Sequence, residues 1–256
     1  MKILITGAAG FAGQYAVTHF ASERGWTVHA AKLPSERIPA ALQTLCTAHD
    51  LDLTDAAAVQ ALLHDTKPDC ILHLAAQSSV AVSWKQPALT AQVNVTGTVN
   101  LLEAARMLNP MPRMLCIGSA EEYGVLKPEQ CPVSEKTPLH PVNIYAATKA
   151  AAEQLCGIYS RSCGLPVICV RAFNQRTCRG SSPTFGRRTL SARATPAPPP
   201  YSPSNICNPS ASKQTTVCLR SIRGISEMRW SEPTTRMWQK ASVRTTTSLN
   251  FSSVTC

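Results

Sequence analysis

The stretch Lys2-Ile-Leu-Ile-Thr6-Gly7-Ala-Ala-Gly10-Phe-Ala-Gly13 decides the reading of this chain. A short apolar run suited to a buried strand is followed at once by three glycines at the spacing GxxGxxG, and then by helical periodicity. Glycine lets a backbone turn tightly and approach a ligand closely, while the free amides and dipole of a helix N-terminus meet negative charge. A strand–glycine loop–helix unit of this kind suits the pyrophosphate of a dinucleotide, with Gly7, Gly10, Phe11, Ala12 and Gly13 in contact. An ordinary strand–helix turn is the plain alternative. The position of the loop, within the first ten residues and between a strand and a helix, favours the dinucleotide.

Outward from this loop the pattern repeats. Apolar runs at 3–6, 26–31, 70–74, 114–117 and 167–170, with another ending near Leu51, read as strands. Helical spacing occupies 11–24, a segment opening at Thr54-Asp55, a long segment after Pro87 that carries Leu89, Val93, Val99 and Leu102, and 145–159. Alternating strands and helices imply an α/β fold, a doubly wound parallel sheet of Rossmann type, and strands without polar alternation fit burial on both faces. Residues 1–174 form this domain. No apolar run is long enough for a membrane span, and no signal-peptide pattern precedes the first strand, so a cytoplasmic location is expected. The eleven cysteines are scattered without a CxxC pair, which favours reduced thiols.

The acidic residue that often closes the second strand of such a domain, to hold the adenosine ribose of NAD, is missing. That strand reads Val28-His-Ala-Ala-Lys32, and Lys32 with Arg37 instead suits the extra phosphate of NADP. NADP is therefore favoured, with NAD as the alternative. Asp52 and Leu53 follow the third strand and are placed near adenine; a helix cap is the other reading of Asp52.

Tyr145-Ala-Ala-Thr-Lys149 puts a phenol and an ammonium on one helical face. An ammonium beside a phenol lowers its pKa and makes it a usable proton donor or acceptor at a C–OH or C=O group. Ser119 ends the fifth strand, where the carboxyl ends of parallel strands line the ligand crevice, and can polarise the same oxygen or cap a turn. His73 reads as a strand residue facing core or crevice, and no metal ligand set is expected.

Together the glycine loop 7–13, His73-Leu-Ala-Ala-Gln77, Asn94-Val-Thr-Gly97, Gly118-Ser-Ala-Glu-Glu-Tyr-Gly124, Tyr145-Ala-Ala-Thr-Lys149 and Arg171-Ala-Phe-Asn174 resemble the extended short-chain dehydrogenase/reductase family. The resemblance covers 1–174 and is strongest to its GDP-mannose 4,6-dehydratase and GDP-4-keto-6-deoxy-mannose reductase branch. It implies an NAD(P)-dependent enzyme acting at C4 of a nucleotide sugar, with Ser119, Tyr145 and Lys149 as reaction centre. Glu121 maps onto the glutamate that dehydratases use as a base; the reductase also carries it. By the same resemblance Leu74, Ala75, Ala76 and Gln77 lie at the cofactor, Ser78, Ser79 and Asn174 contact the substrate, and a homodimer forms through helices at 89–107 and 145–159.

After Asn174 the composition changes. Residues 1–174 carry 13 Lys+Arg and 13 Asp+Glu, whereas 175–256 carry 12 and 2, so the whole net charge of +10 lies in that stretch. Its 26 Ser+Thr and 8 Pro show little periodicity and read as an irregular, disordered tail in place of a substrate domain. Read one base earlier, the Met237/Trp238 junction gives Val and the Trp238/Gln239 junction gives Ala. Across 230–234 the shifted codons permit Val-Arg-Ala-Tyr, a string similar to what the family carries there. A frameshift is the expectation this raises. Besides the enzyme, a catalytically dead dinucleotide-binding module and a nucleotide-sugar 4-epimerase stay open. A nucleic-acid arm is disfavoured, because the dispersed arginines form no recognisable binding motif.

Overall fold

Six parallel strands pair in the order β3-β2-β1-β4-β5-β6: β1 Lys2–Thr6, β2 Thr27–Lys32, β3 Thr47–Asp50, β4 Cys70–His73, β5 Arg113–Ser119 and β6 Val167–Ala172. The computed structural model describes residues 1–173. Asn174 and the tail 175–256, with the readings placed on them, lie outside the described residues. The helices are α1 Phe11–Thr18, α2 Ala40–Gln43, α3 Ala56–Thr66, α4 Val80–Lys85, α5 Pro87–Ala91, α6 Gly97–Arg106 and α7 Ile144–Cys163.

This is the doubly wound α/β sheet that the alternating pattern predicts, and both of its faces are buried. Leu4, Ile71 and Met114 project to one face, against Val59 and Leu63 of α3 and Leu101 and Leu102 of α6. Ile3, Ile5, Val28, Leu72, Leu115 and Ile168 project to the other, with Ala16, Val17 and Phe20. Successive residues of the central strands enter opposite cores, so apolar side chains fill most positions there.

Boundaries differ where side-chain pattern alone cannot see a change of backbone pitch. The 11–24 helix is α1 followed by a π-type turn, His19–Glu23. The long helix after Pro87 is α5, a second π-type turn Gln92–Thr96, and α6. Helices α2 and α4 are too short to show a period. Among the described residues Cys46, Cys70, Cys116, Cys156, Cys163 and Cys169 are free thiols. None of the described helices is long and apolar enough to cross a membrane.

Strand order reverses between β1 and β4, so the loops leaving their carboxyl ends diverge and open the crevice where such sheets bind ligands.

Candidate active site

The glycine loop sits at this switch point. Gly7 takes φ +69°, and a Cβ there would lie 2.8 Å from the Ala75 amide nitrogen of the loop after β4. Gly13 faces back into the loop: a Cβ would lie 2.6 Å from Ala8 Cα and closer still to the Gly7 carbonyl. Gly10 opens α1 with no side-chain cap, and no acidic residue stands in the first turn. The first-turn amides of Phe11, Ala12 and Gly13 therefore keep a face suited to an anion. These residues fit a dinucleotide pyrophosphate: the tight packing of Gly7 and Gly13 holds the loop, and Gly10, on the exposed side, leaves room for close approach.

Thr6 ties the two loops together. Its hydroxyl accepts from the Ala75 amide at 3.3 Å and donates to His73 Nδ1 at 2.8 Å. The other ring nitrogen meets the Thr98 hydroxyl at 3.0 Å, and that hydroxyl spends its proton on the Asn94 carbonyl at 2.7 Å. His73 Nε2 must then donate, which fixes the neutral Nε2–H tautomer. Burial, helped by the Lys149 charge, lowers the His73 pKa to about 3. A lowered folded pKa means that its stability contribution is complete above the ordinary value of 6.5 and is lost as pH falls towards 3. Expected, then, is an imidazole NMR signal for His73 that does not titrate between about pH 5 and 8; a midpoint near 6.5 would contradict the buried pair of threonines.

In the second loop, Leu74, Ala75, Ala76 and Gln77 are half-buried at the crevice, and Ser78 and Ser79 are exposed. Ser79 caps α4, accepting from the Val82 amide at 3.3 Å. Asn94, a residue of the quoted motifs to which the sequence attaches no role, holds this loop. Its Oδ1 accepts from the Gln77 amide at 2.8 Å, and its Nδ2 donates to the Gln77 carbonyl and to the Thr148 hydroxyl, both at 3.0 Å. Thr148 in turn donates to the Tyr145 carbonyl at 2.7 Å. One buried amide thus joins the loop after β4 to the helix that bears Tyr145. Asn94→Ala is expected to cost about 2–3 kcal/mol in urea denaturation, because it strands several buried polar groups.

Asp52 and Lys32 stand differently from the sequence expectation. Asp52 accepts from the Thr54 amide at 2.9 Å and from its hydroxyl at 2.8 Å, while the cap of α3 is Asp55, which accepts from the Ala58 amide at 3.0 Å. Asp52 makes a turn and Asp55 makes the cap. Leu53 is buried, 3.0 Å from where a Gly97 Cβ would stand, and its carbonyl accepts from Asn100 at 2.8 Å. Lys32 is not a free cation: strand register sets it opposite Asp50, with which it forms an ion pair. The charge invoked for the extra phosphate of NADP is already partnered.

The reaction centre assembles at the end of β5. Ser119 closes the strand and caps the 3-10 turn Ala120–Tyr123, its hydroxyl accepting from the Glu121 amide at 3.2 Å. The cap leaves the hydroxyl proton available, and Ser119 stands near enough to the Tyr145 phenol to favour its ionised form. Asn143 caps α7 through its Oδ1, with the Ala146 amide at 2.7 Å, and donates to Glu121 Oε2 at 2.7 Å, so one side chain positions Tyr145 and Glu121 together.

Lys149 departs from expectation. The residue is 9% exposed, its ammonium donates to the Ile117 carbonyl at 2.7 Å, and burial lowers its pKa. The Tyr145 phenol is correspondingly raised, by burial first, with Glu121 and Glu122 adding to it and Ser119 opposing. The lysine lies on the same helical face, and one of its three N–H donors is taken by the sheet. Beneath it lies a cavity of about 20 Å³ lined by Cys116, Cys156, Cys169 and Glu153 among others, room for one water. Among the described residues no cluster of three or more His, Cys, Asp or Glu side chains is arranged to hold a metal.

Residues 4–196 match the family model for GDP-mannose 4,6 dehydratase. The chain belongs to this family. Among its relatives, GDP-6-deoxy-D-mannose reductase of Pseudomonas aeruginosa is 32% identical over 173 residues, covering 68% of this chain and 52% of that one. GDP-mannose 4,6 dehydratase 1 of Arabidopsis thaliana is 35% identical over 192 residues, covering 69% and 52%. The crystal structure of UDP-glucose 4-epimerase from Thermus thermophilus in complex with NAD superposes with a TM-score of 0.60 at 31% identity, covering 67% of this chain and 54% of that one. The chain spans about half the length of the curated relatives it matches. The family match runs past Asn174 to residue 196, beyond the point where the composition changes.

Proposed function

We propose that this chain is a cytoplasmic NAD(P)-dependent nucleotide-sugar dehydratase or reductase of the GDP-mannose 4,6 dehydratase family, acting at C4 of a GDP-hexose such as GDP-mannose or its 4-keto-6-deoxy derivative. The observation that carries it is the convergence of Ser119, Tyr145 and Glu121 at the end of β5, beside the glycine loop. A bound nicotinamide ring supplies or accepts the hydride at C4. Tyr145 exchanges the proton on the C4 oxygen, and Ser119, with its lone pair engaged by the Glu121 amide, donates to the same oxygen. Glu121, held by Asn143, is the carboxylate placed to take the C5 proton if water is expelled across C5–C6. Gln77, Ser78 and Ser79 line the sugar side of the crevice, with Asn174 assigned there by resemblance.

Similarity to the epimerase of Thermus thermophilus supports 4-epimerisation as a second reading. Lys32 is paired with Asp50 while Arg37, the other cation of the NADP argument, is exposed, so both dinucleotides are proposed. A homodimer through the helices at 89–107 and 145–159 is part of the proposal: Leu89, Met107 and Ile158 are exposed there, Met107 by 64%.

The test is incubation of the full chain with either dinucleotide and GDP-mannose or its 4-keto-6-deoxy product, followed by mass spectrometry. Loss of water from GDP-mannose establishes the dehydratase, and gain of two hydrogens by the keto sugar the reductase. Conversion at C4 without a mass change establishes the epimerase. No conversion by folded protein contradicts all three and leaves the dead module.

A further inference from the structure

Glu122 has no part in the reaction proposed above, yet none of its side chain is exposed. Its Oε1 accepts from the Ser119 amide at 2.6 Å, closing a capping box around the turn that carries Ser119 and Glu121. The strand makes room for it: a Cβ on Gly118 would lie 2.5 Å from this oxygen. Its Oε2 is shut away from solvent without a hydrogen-bond donor. The nearest guanidinium nitrogen, Arg171 Nε, is 3.8 Å away. That guanidinium is already occupied, donating to Glu153 at 2.9 and 2.5 Å, to the Tyr123 hydroxyl at 3.0 Å and to the Glu135 carbonyl at 3.2 Å. Two carboxyl groups, one from the turn after β5 and one from α7, thus converge on one cation that serves the second.

We infer that Glu122 is a positioning residue held as the neutral acid, sharing one proton with the Arg171-clamped Glu153 carboxylate and so locking the Ser119 turn to the helix of Tyr145 and Lys149. An isolated buried carboxylate with an unpaired oxygen is costly, and two carboxylates at one site cannot both ionise easily. Burial is the largest cause raising the Glu122 pKa, to about 7, and the Glu153 charge and hydrogen bond add to it. The Ser119 amide and Arg171 oppose. The groups that act on it or that it acts on are Tyr145, Lys149 and Glu153 from α7, Arg171 from β6, and the Ser119 amide at the head of its own turn. Loss of the proton sets two carboxylates against one guanidinium and loosens the turn that aligns Ser119 with Tyr145. The link to turnover rests on the proposed function; the protonation state does not.

The sign follows from a folded pKa raised above the unfolded one. The stability contributed by neutral Glu122 is complete below the ordinary value of 4.5 and is lost as pH rises through about 7. Glu122→Gln imitates the acid and does not titrate. Full-length wild type and E122Q are compared by thermal denaturation from pH 5 to pH 9, and by infrared spectroscopy of the protonated carboxyl stretch. Expected is a Tm advantage of E122Q that widens by about 5 °C across that range, and a carboxyl band at pH 6 that E122Q lacks. Glu153→Gln gives a second route if E122Q does not fold. With Glu153 neutral, Arg171 turns to Glu122, and the band at pH 6 disappears. A constant Tm gap, or a wild-type spectrum without the band, overturns the inference. Where the chain turns over substrate, E122Q also removes the decline above about pH 7. If no turnover exists, the proposed function fails, while the band and the Tm gap still decide the role of Glu122.

Discussion

Tyr145→Phe is expected to lower turnover by about 10²–10⁴-fold, the usual range for a positioned general acid or base. The substitution removes one oxygen. The carbonyl of Tyr145 keeps its hydrogen bond from Thr148, and the ring stays packed under the turn, so the circular dichroism spectrum and denaturation midpoint should change little. Because burial and two neighbouring carboxylates raise the phenol pKa, the resting side chain is a proton donor at neutral pH. That state suits reduction of a 4-keto sugar directly. Oxidation at C4 needs the phenolate, the state that the Lys149 charge favours. Steady-state kinetics beside a denaturation curve check the prediction. A folded variant that retains turnover removes Tyr145 from the reaction centre.

Gly13→Ala carries the largest stability effect of any single added methyl considered for the loop. The new Cβ would overlap Gly7 and Ala8 backbone atoms, which cannot yield as a flexible side chain would. Relief requires α1 to shift away from β1, where Ala16 and Val17 pack against the sheet. Overpacking of this kind costs about 1–3 kcal/mol where side chains can move, and about 3 kcal/mol or more is expected here, a large share of the 5–15 kcal/mol typical of a domain. Gly10→Ala is the control. Its Cβ would meet only the Gly7 carbonyl, at 3.2 Å, so it should fold close to the wild-type midpoint. Urea denaturation of both variants reads the difference; equal midpoints would mean that the loop is looser than its contacts indicate.

The sequence carries the parts of this structure that depend on local constraint. Gly7 and Gly13 are legible because a turn and a helix packed against a strand leave no room for a side chain, whatever happens elsewhere. The Tyr145–Lys149 spacing and the buried strands follow from helical and strand periods. Directions and pairings of charges are another matter. Lys32 reads as a free cation until strand register brings Asp50 beside it. Lys149 shares a helical face with Tyr145, yet its ammonium goes to Ile117, a partner 32 residues away. Glu121 and Glu122 are adjacent and look alike in sequence. One rests on Asn143 at the crevice while the other is fully buried, because Gly118, Glu153 and Arg171 come from three different elements. Asn143, by contrast, could have been found, since an asparagine just before helical periodicity is a capping signal.

The glycine loop and the loop after β4 form a dinucleotide cradle at the switch point of the sheet. Calorimetric titration of the full chain with NADPH and with NADH, repeated on Gly10→Ala, tests it most directly. Expected is saturable binding of at least one dinucleotide by the wild type, weakened at least tenfold, about 1.4 kcal/mol, by a methyl group on the face of the loop that folding does not need. Folded wild-type protein that takes up neither dinucleotide, or a Gly10→Ala variant that binds as tightly as the wild type, would contradict it.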